Sequence, residues 1–160
     1  MERKLIELYR KMHDSGIRFF DGRLPFSDEE QKSLVLKIGG DFAVFMDTER
    51  VESIAEETEL VGHEYGHVAT GTTHSVCSPV DLVEKHEYKA KKWSVHELLP
   101  REELSQAIKD GYVEPYEIAE RLGRTESFVQ LAIDIYRAEG VKFSAEFSEE
   151  LFPDLRAAGM

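Results

Sequence analysis

Apolar residues recur along the chain with two different spacings, which predict helices in some segments and strands in others. Near the N-terminus they lie three and four residues apart, which predicts an amphipathic helix over residues 2–13 that ends near Gly16. Residues 17–20 predict a short strand. Residues 33–38 and 42–46 are rich in strand-forming side chains and are joined through two glycines, which is typical of a β-hairpin.

Helical patterns occupy most of the rest of the chain. After the hairpin, a long helix is predicted to begin at a cap at Asp47 or Thr48 and to reach Thr70, with an interruption near Thr58. The next helix is predicted over residues 81–99 and is followed by a proline. Three shorter helices are predicted over residues 102–109, 115–122 and 126–138.

The order of these elements, without strand–helix–strand repetition, predicts an α+β fold. We expect a small antiparallel sheet packed on the helix that reaches Thr70, and an all-helical C-terminal part. A core over residues 1–100 and a helical extension over residues 101–160 are expected to form one compact unit, because nothing resembles an inter-domain linker.

Charge and composition argue against several classes of protein. The 160 residues include 20 basic and 32 acidic ones, a formal net charge of −12, which opposes binding to nucleic acid or to anionic lipid. No apolar run approaches the ~18 residues of a membrane span, and residues 1–7 lack an apolar signal core. The single cysteine, Cys77, excludes an internal disulfide, so we expect a cytoplasmic protein.

The run His63-Glu64-Tyr65-Gly66-His67 is the main candidate for chemistry. Two histidines four residues apart lie on one face of a helix and can bind one metal ion. The glutamate between them can reach a water on the metal, as the general base of a zinc peptidase does. Gly66 leaves room for a neighbouring element to approach closely. The same motif also occurs by chance in ordinary helices, so the prediction requires a third ligand.

A catalytic zinc needs three protein ligands and an open position. The extended metzincin motif would place a histidine at position 73, where this chain has Thr73. Glu87 lies on the apolar stripe of the helix over residues 81–99, where a carboxylate needs a cation or a metal. We therefore favour Glu87 as the third ligand, although a salt bridge would also explain it. Four other residues stay open as candidates: Glu84, His74, Cys77 and His86.

A second motif lies on the helix over residues 81–99, where Glu87, Ala90 and Trp93 follow at intervals of three before Leu98-Leu99-Pro100. Together with the run from His63 to His67, this motif resembles the ImmA/IrrE family of metallo-endopeptidases, over about residues 35–140. The second helix of that family carries a glutamate, then an alanine and an aromatic residue at intervals of three, and a Leu-Leu-Pro ending. Two positions depart from the family: Lys91 replaces a common Asn or Asp, and Gly71 replaces a common histidine.

The resemblance implies a zincin-like zinc metallo-endopeptidase. The residues that would bind Zn²⁺ are His63, His67 and Glu87, and Glu64 would be the catalytic base. Members of the family are intracellular, are often encoded in prophages, mobile elements or stress loci, and cleave helix-turn-helix repressors. We therefore expect a repressor as protein substrate, with no direct contact to nucleic acid or membrane. The hairpin over residues 33–46 offers an edge along which an extended substrate could add as a strand.

Residues 114–140 have the spacing of a helix-turn-helix pair, with Gly123 at the turn. A DNA-binding second helix needs basic residues, whereas Glu126 and Asp134 would repel phosphate. We expect these helices to pack on the core or to dock a protein; a DNA-binding regulator is an alternative. Another alternative is a zinc-containing protein that holds a repressor or an antitoxin without cleaving it.

Overall fold

The computed structural model describes residues 2–24, 30–73 and 80–143 and has an α+β fold. Over these ranges the chain forms six α-helices and three strands. It divides into two compact units, residues 1–94 and 95–160. Over the same ranges, no helix combines the length and the apolar character needed to cross a membrane.

The elements of the first unit begin with a helix and a sheet and end with two long helices. They are α1 (Glu2–Asp14), β1 (Arg18–Asp21), β2 (Ser33–Ile38), β3 (Asp41–Met46), a 3-10 turn (Thr48–Arg50), α2 (Ile54–Thr70) and α3 (Val80–Leu98). The second unit begins within the last turn of α3 and adds α4 (Arg101–Lys109), α5 (Pro115–Leu122) and α6 (Glu126–Ala138). Apart from α2, each helix and strand begins and ends within one residue of its predicted position.

The sheet is mixed, so the expectation of an antiparallel sheet is wrong. The central strand β3 pairs antiparallel with β2, as the hairpin prediction requires, and parallel with β1. After the turn at Gly39 and Gly40, β3 runs in the direction of β1 and lies beside it, which makes that pair parallel. Local patterning identifies the strands, but it does not tell which neighbour β1 joins.

One face of the sheet is buried, and this face places β2 against α2. Val35 and Val44 are opposite each other in the β2–β3 register, and both are buried. Ser33 and Met46 form the next pair on the same face and are also buried. The first side chain of β2 therefore points to the same side as the core residues that follow it.

The helix α2 is continuous, so the predicted interruption near Thr58 is wrong. The hydroxyl of Thr58 donates to the main-chain carbonyl one turn earlier, at 2.7 Å, which satisfies this buried polar group inside the helix. The cap is Ser53, whose side chain accepts a main-chain N–H, and not Asp47 or Thr48. The helix ends as predicted at Gly71, which has a left-handed conformation with φ 65°.

In its described part, the second unit consists of helices joined by turns and short loops, without a strand. A left-handed residue, Gly123 with φ 63°, separates α5 from α6. The next residue, Arg124, donates two hydrogen bonds of 2.8 and 3.1 Å to the carbonyl of Leu98. The hydroxyl of Tyr136 donates to the carbonyl of Leu99 at 2.8 Å. These bonds satisfy carbonyl groups where α3 ends. The likeness of α5 and α6 to a helix-turn-helix pair stays a prediction.

Candidate metal centre

Two helices bring three ligand-type side chains together. His63 and His67, one turn apart on α2, and Glu87 on α3 offer ligand atoms that all lie within 4.8 Å of one another. The Nε2 atoms of His63 and His67 lie 2.9 and 3.1 Å from the two carboxylate oxygens of Glu87 and 3.2 Å from each other. Ligands that are each about 2.1 Å from one tetrahedral ion are about 3.4 Å apart. This group could therefore hold a metal ion with little movement.

The approach of Glu87 to the histidines depends on a close contact between α2 and α3. A Cβ atom at Gly66 would lie 2.7 Å from the main-chain oxygen of Ala90, which is itself fully buried. Gly66 is three residues after His63 and directly before His67, and Ala90 is three residues after Glu87, so this contact lies within one turn of the candidate ligands on both helices. The prediction that Gly66 admits a close neighbour is confirmed.

The ring of His67 is held by the residues that follow α2. Its Nδ1 atom lies 3.0 Å from the carbonyl oxygen of Thr72 and 3.2 Å from the hydroxyl oxygen of the same residue. A carbonyl oxygen only accepts, so Nδ1 carries the hydrogen, and in the neutral ring the lone pair is on Nε2. The left-handed turn at Gly71 brings Thr72 back over the helix end, where its amide donates to the carbonyl of His67 at 2.9 Å. The nitrogen that faces Glu87 is therefore the one able to bind a metal.

Burial and charge have opposite effects on the pKa values of Glu87 and His67. Burial of the Glu87 carboxyl would raise its pKa, but the hydrogen bonds and charges of His63 and His67 outweigh this effect and hold the pKa well below its usual range. For His67, burial would lower the pKa, yet the hydrogen bond and charge of Glu87 raise it above the ordinary value. Glu87 is thus held as a carboxylate, and the carboxylate is the form that binds a cation.

Glu64 is buried beside this group and is not one of its three members. Only 4% of the residue is exposed, and its Oε1 atom accepts a hydrogen bond of 2.6 Å from the hydroxyl of Ser33. Burial raises the pKa of the Glu64 carboxyl, and this effect exceeds the lowering by the charge of His63 and by the Ser33 hydrogen bond. A carboxyl group in such a site can accept and return a proton closer to neutral pH than an exposed one.

The other candidate ligands are not part of the group within the part of the chain that the structure describes. Glu84 is exposed, and His86 is half-buried on the same helix as Glu87. His74 and Cys77 lie in residues 74–79, outside the described residues. The described geometry therefore singles out Glu87 from the acidic and histidine candidates on α3.

Two polar contacts at the site were not predicted from the sequence. Ser33 is the first residue of β2, and no spacing relates it to Glu64, which is 31 residues away. Thr72 follows the predicted helix end at Gly71, and that glycine is the only signal for a chain reversal here. Both contacts depend on tertiary structure or on the turn that follows a helix.

Comparisons with protein-family models, with curated proteins and with solved structures find no significant match for this chain. Its function is therefore inferred from its own residues and their geometry.

Proposed function

We propose that this protein is a zinc-dependent metallo-endopeptidase of the ImmA/IrrE type. The observation that carries the proposal is the convergence of His63, His67 and Glu87 from two helices, with Glu64 buried beside them. Two imidazoles and one carboxylate are a common ligand set of catalytic zinc, whereas Mg²⁺ and Ca²⁺ prefer oxygen ligands alone. Zinc is therefore the metal that this group of side chains favours.

In the proposed reaction, Glu64 handles the proton. Bound Zn²⁺ supplies the Lewis acidity that makes a water nucleophilic near neutral pH and polarises a peptide carbonyl. The carboxylate of Glu64 accepts a proton from the attacking water as the C–O bond forms, and donates it to the amide nitrogen as the C–N bond breaks. The burial of Glu64 supports this role, because a raised pKa suits a group that both accepts and returns a proton.

A cytoplasmic helix-turn-helix repressor is the substrate that we propose. The resemblance to ImmA/IrrE proteins supports it, and so does the net charge of −12, which complements the basic surface of a DNA-binding protein. The strand β2 lies at an edge of the sheet and begins at Ser33, next to the buried base. An extended segment of substrate that paired with this edge would lie near Glu64.

The decisive experiment measures zinc binding and peptide hydrolysis together. The full chain is loaded with Zn²⁺ and incubated with a library of short peptides, and with the repressor encoded nearest to its own gene. We expect one zinc ion per chain and cleavage at defined bonds. The variant Glu64→Gln should keep the metal and lose cleavage by at least about a thousandfold, since the general base is lost.

A matched control is Glu120→Gln, which removes an exposed carboxylate from the second unit and should cleave like the wild type. Absence of zinc binding, or equal cleavage by wild type and Glu64→Gln, would overturn the proposal. A chain that binds zinc and a repressor without cutting it would instead be the non-cleaving protein considered above.

A further inference from the structure

We infer that Ser33 is a positioning residue, which holds the Glu64 carboxylate in the orientation that proton transfer requires. This inference rests on the proposed peptidase function. The hydroxyl of Ser33 donates to Oε1 of Glu64 at 2.6 Å, and each of the two residues is only 4% exposed. It is the one hydrogen bond that the Glu64 carboxylate makes with the described part of the chain.

Ser33 is itself held in place by two interactions. Its main chain pairs with Met46 on the central strand, which fixes the position of Ser33 along the axis of α2. The preceding residue, Lys32, places its Nζ atom 2.6 Å from Oε1 of Glu56, two turns before Glu64 on the same helix. The start of β2 is therefore tied to α2 at two points, and the hydroxyl has little freedom to move away.

This arrangement gives the two oxygens of the Glu64 carboxylate different roles. Oε1 accepts from Ser33, whereas Oε2 accepts no hydrogen bond from the described part of the chain, so we assign the proton of the attacking water to Oε2. The serine keeps its own hydrogen throughout the reaction and exchanges none. Without it, the buried carboxylate loses its only described donor and can rotate about its side-chain bonds, so fewer molecules hold the base in the productive orientation.

The test uses a probe that needs no peptide substrate. The chain is loaded with Co²⁺ alone, and acetohydroxamic acid is added while the visible absorption of the cobalt is followed. This chelator gives up its hydroxyl proton when it binds a metal, and the Glu64 carboxylate is the group that we expect to accept that proton. The affinity of the chelator should therefore depend on the orientation of Glu64. The kcat and KM for a peptide from the library are measured in parallel.

The expected results separate positioning from metal binding. Ser33→Ala should bind Co²⁺ within about threefold of the wild type, but its affinity for acetohydroxamic acid should fall about tenfold, as expected for loss of one hydrogen bond to a charged group. The kcat should fall by about 10–100-fold with little change in KM. Ser33→Thr, which restores a hydroxyl, should recover most of both quantities, whereas Ser33→Cys, a weak donor, should resemble Ser33→Ala.

A double-mutant cycle gives the inference a specific signature. In the Glu64→Gln background, Ser33→Ala should cause no further loss of hydroxamate affinity, because the serine acts only through Glu64. The matched control is Ser94→Ala, which also removes a buried hydroxyl, one that donates to the carbonyl of Lys91 at 2.8 Å. This control should leave hydroxamate affinity and kcat unchanged.

Several outcomes would overturn the inference. These are wild-type hydroxamate affinity in Ser33→Ala, equal losses in Ser33→Ala and Ser94→Ala, loss of Co²⁺ from Ser33→Ala, or additive losses in the cycle. If hydroxamate affinity depends on Ser33 as expected but no peptide or repressor is cleaved, the positioning role is supported and the peptidase function fails. If the wild type binds no Co²⁺, both fail.

Discussion

The α-carbon of Gly66 faces the main-chain carbonyl of Ala90 with no room for a side chain between them. A Cβ atom at position 66 would lie 2.7 Å from the oxygen and 3.3 Å from the carbonyl carbon of Ala90. Because the obstruction is the backbone of α3, no change of side-chain rotamer relieves it, and the two helices would have to move apart. The separation of α2 and α3 in turn sets the distance from Glu87 to the two histidines.

Gly66→Ala should therefore weaken metal binding as well as folding. Alanine favours a helix over glycine by about 1 kcal/mol, while overpacking at such a contact costs about 1–3 kcal/mol. The free energy of unfolding of the metal-free chain should fall by at most about 2 kcal/mol. Zinc affinity should fall at least about tenfold, because Glu87 moves away from His63 and His67. Urea unfolding and a competitive zinc titration measure the two effects.

A second variant tests the cause of this loss. Adding Ala90→Gly to Gly66→Ala removes the Ala90 side chain but leaves the obstructing carbonyl, so zinc affinity should stay low. Recovery of wild-type affinity in the double variant would show that the side chain, and not the main chain, sets the helix separation.

Thr72→Val should reduce zinc affinity only modestly. The substitution removes the hydroxyl that lies 3.2 Å from Nδ1 of His67, but the main-chain carbonyl at 3.0 Å remains to hold the ring. A loss of about three- to tenfold is expected, at or below the low end of the effects seen when partners of ligands are removed. The control is Thr58→Val, which also removes a buried hydroxyl, one that donates to the carbonyl of Ile54 and not to a histidine ring. Equal affinities in the two variants would contradict a role for the Thr72 side chain.

The sequence predicts those parts of the site that depend on spacing within one helix. His63 and His67 share a face because they are four residues apart, and Glu87 stands out because it lies on an apolar stripe. These relations follow from the helical repeat alone, without knowledge of neighbouring elements. For the same reason the bounds of α5 and α6, which have clear end signals, match their predictions.

The contacts that the sequence does not reveal join segments that are distant along the chain. The parallel pairing depends on whether β1 joins the hairpin beside β3 or beside β2. The Ser33–Glu64 hydrogen bond depends on how β2 packs on α2. A break was expected near Thr58, and threonine has a low helix propensity. Burial and a hydrogen bond within the helix outweigh that propensity, which amounts to less than about 1 kcal/mol.

Zinc should stabilise the folded chain, and His63→Ala should abolish this effect. A ligand that binds only the folded state at about 100 times its dissociation constant adds about 2.7 kcal/mol to the free energy of unfolding. Thermal unfolding with and without Zn²⁺ measures the gain. The control is His96→Ala, because His96 lies in the second unit, where its Nε2 atom is 2.9 Å from a carboxylate oxygen of Glu139. A zinc-induced rise in Tm that persists in His63→Ala would place the bound metal elsewhere.

Glu56→Gln should reduce stability at neutral pH but not in acid. Burial would raise the pKa of the Glu56 carboxyl, but hydrogen bonds from the main-chain N–H of Glu52 and from Lys32 outweigh it and lower the pKa below the ordinary value of 4.5. The folded state therefore binds this proton less tightly than the unfolded chain does. The resulting stabilisation is fully present above the unfolded pKa and is lost as pH falls through the folded one.

For a partly buried ion pair of this kind we expect Glu56→Gln to cost about 0.5–1 kcal/mol at pH 7, and the difference from wild type to shrink steadily below about pH 4.5. Urea unfolding at a series of pH values measures this difference. Glu49→Gln, an exposed carboxylate in the 3-10 turn, serves as control and should show a smaller and flatter difference. An equal loss for Glu56→Gln at pH 7 and in acid would mean that the substitution acts through packing, because a loss of charge attraction to Lys32 would disappear once the wild-type carboxyl is protonated.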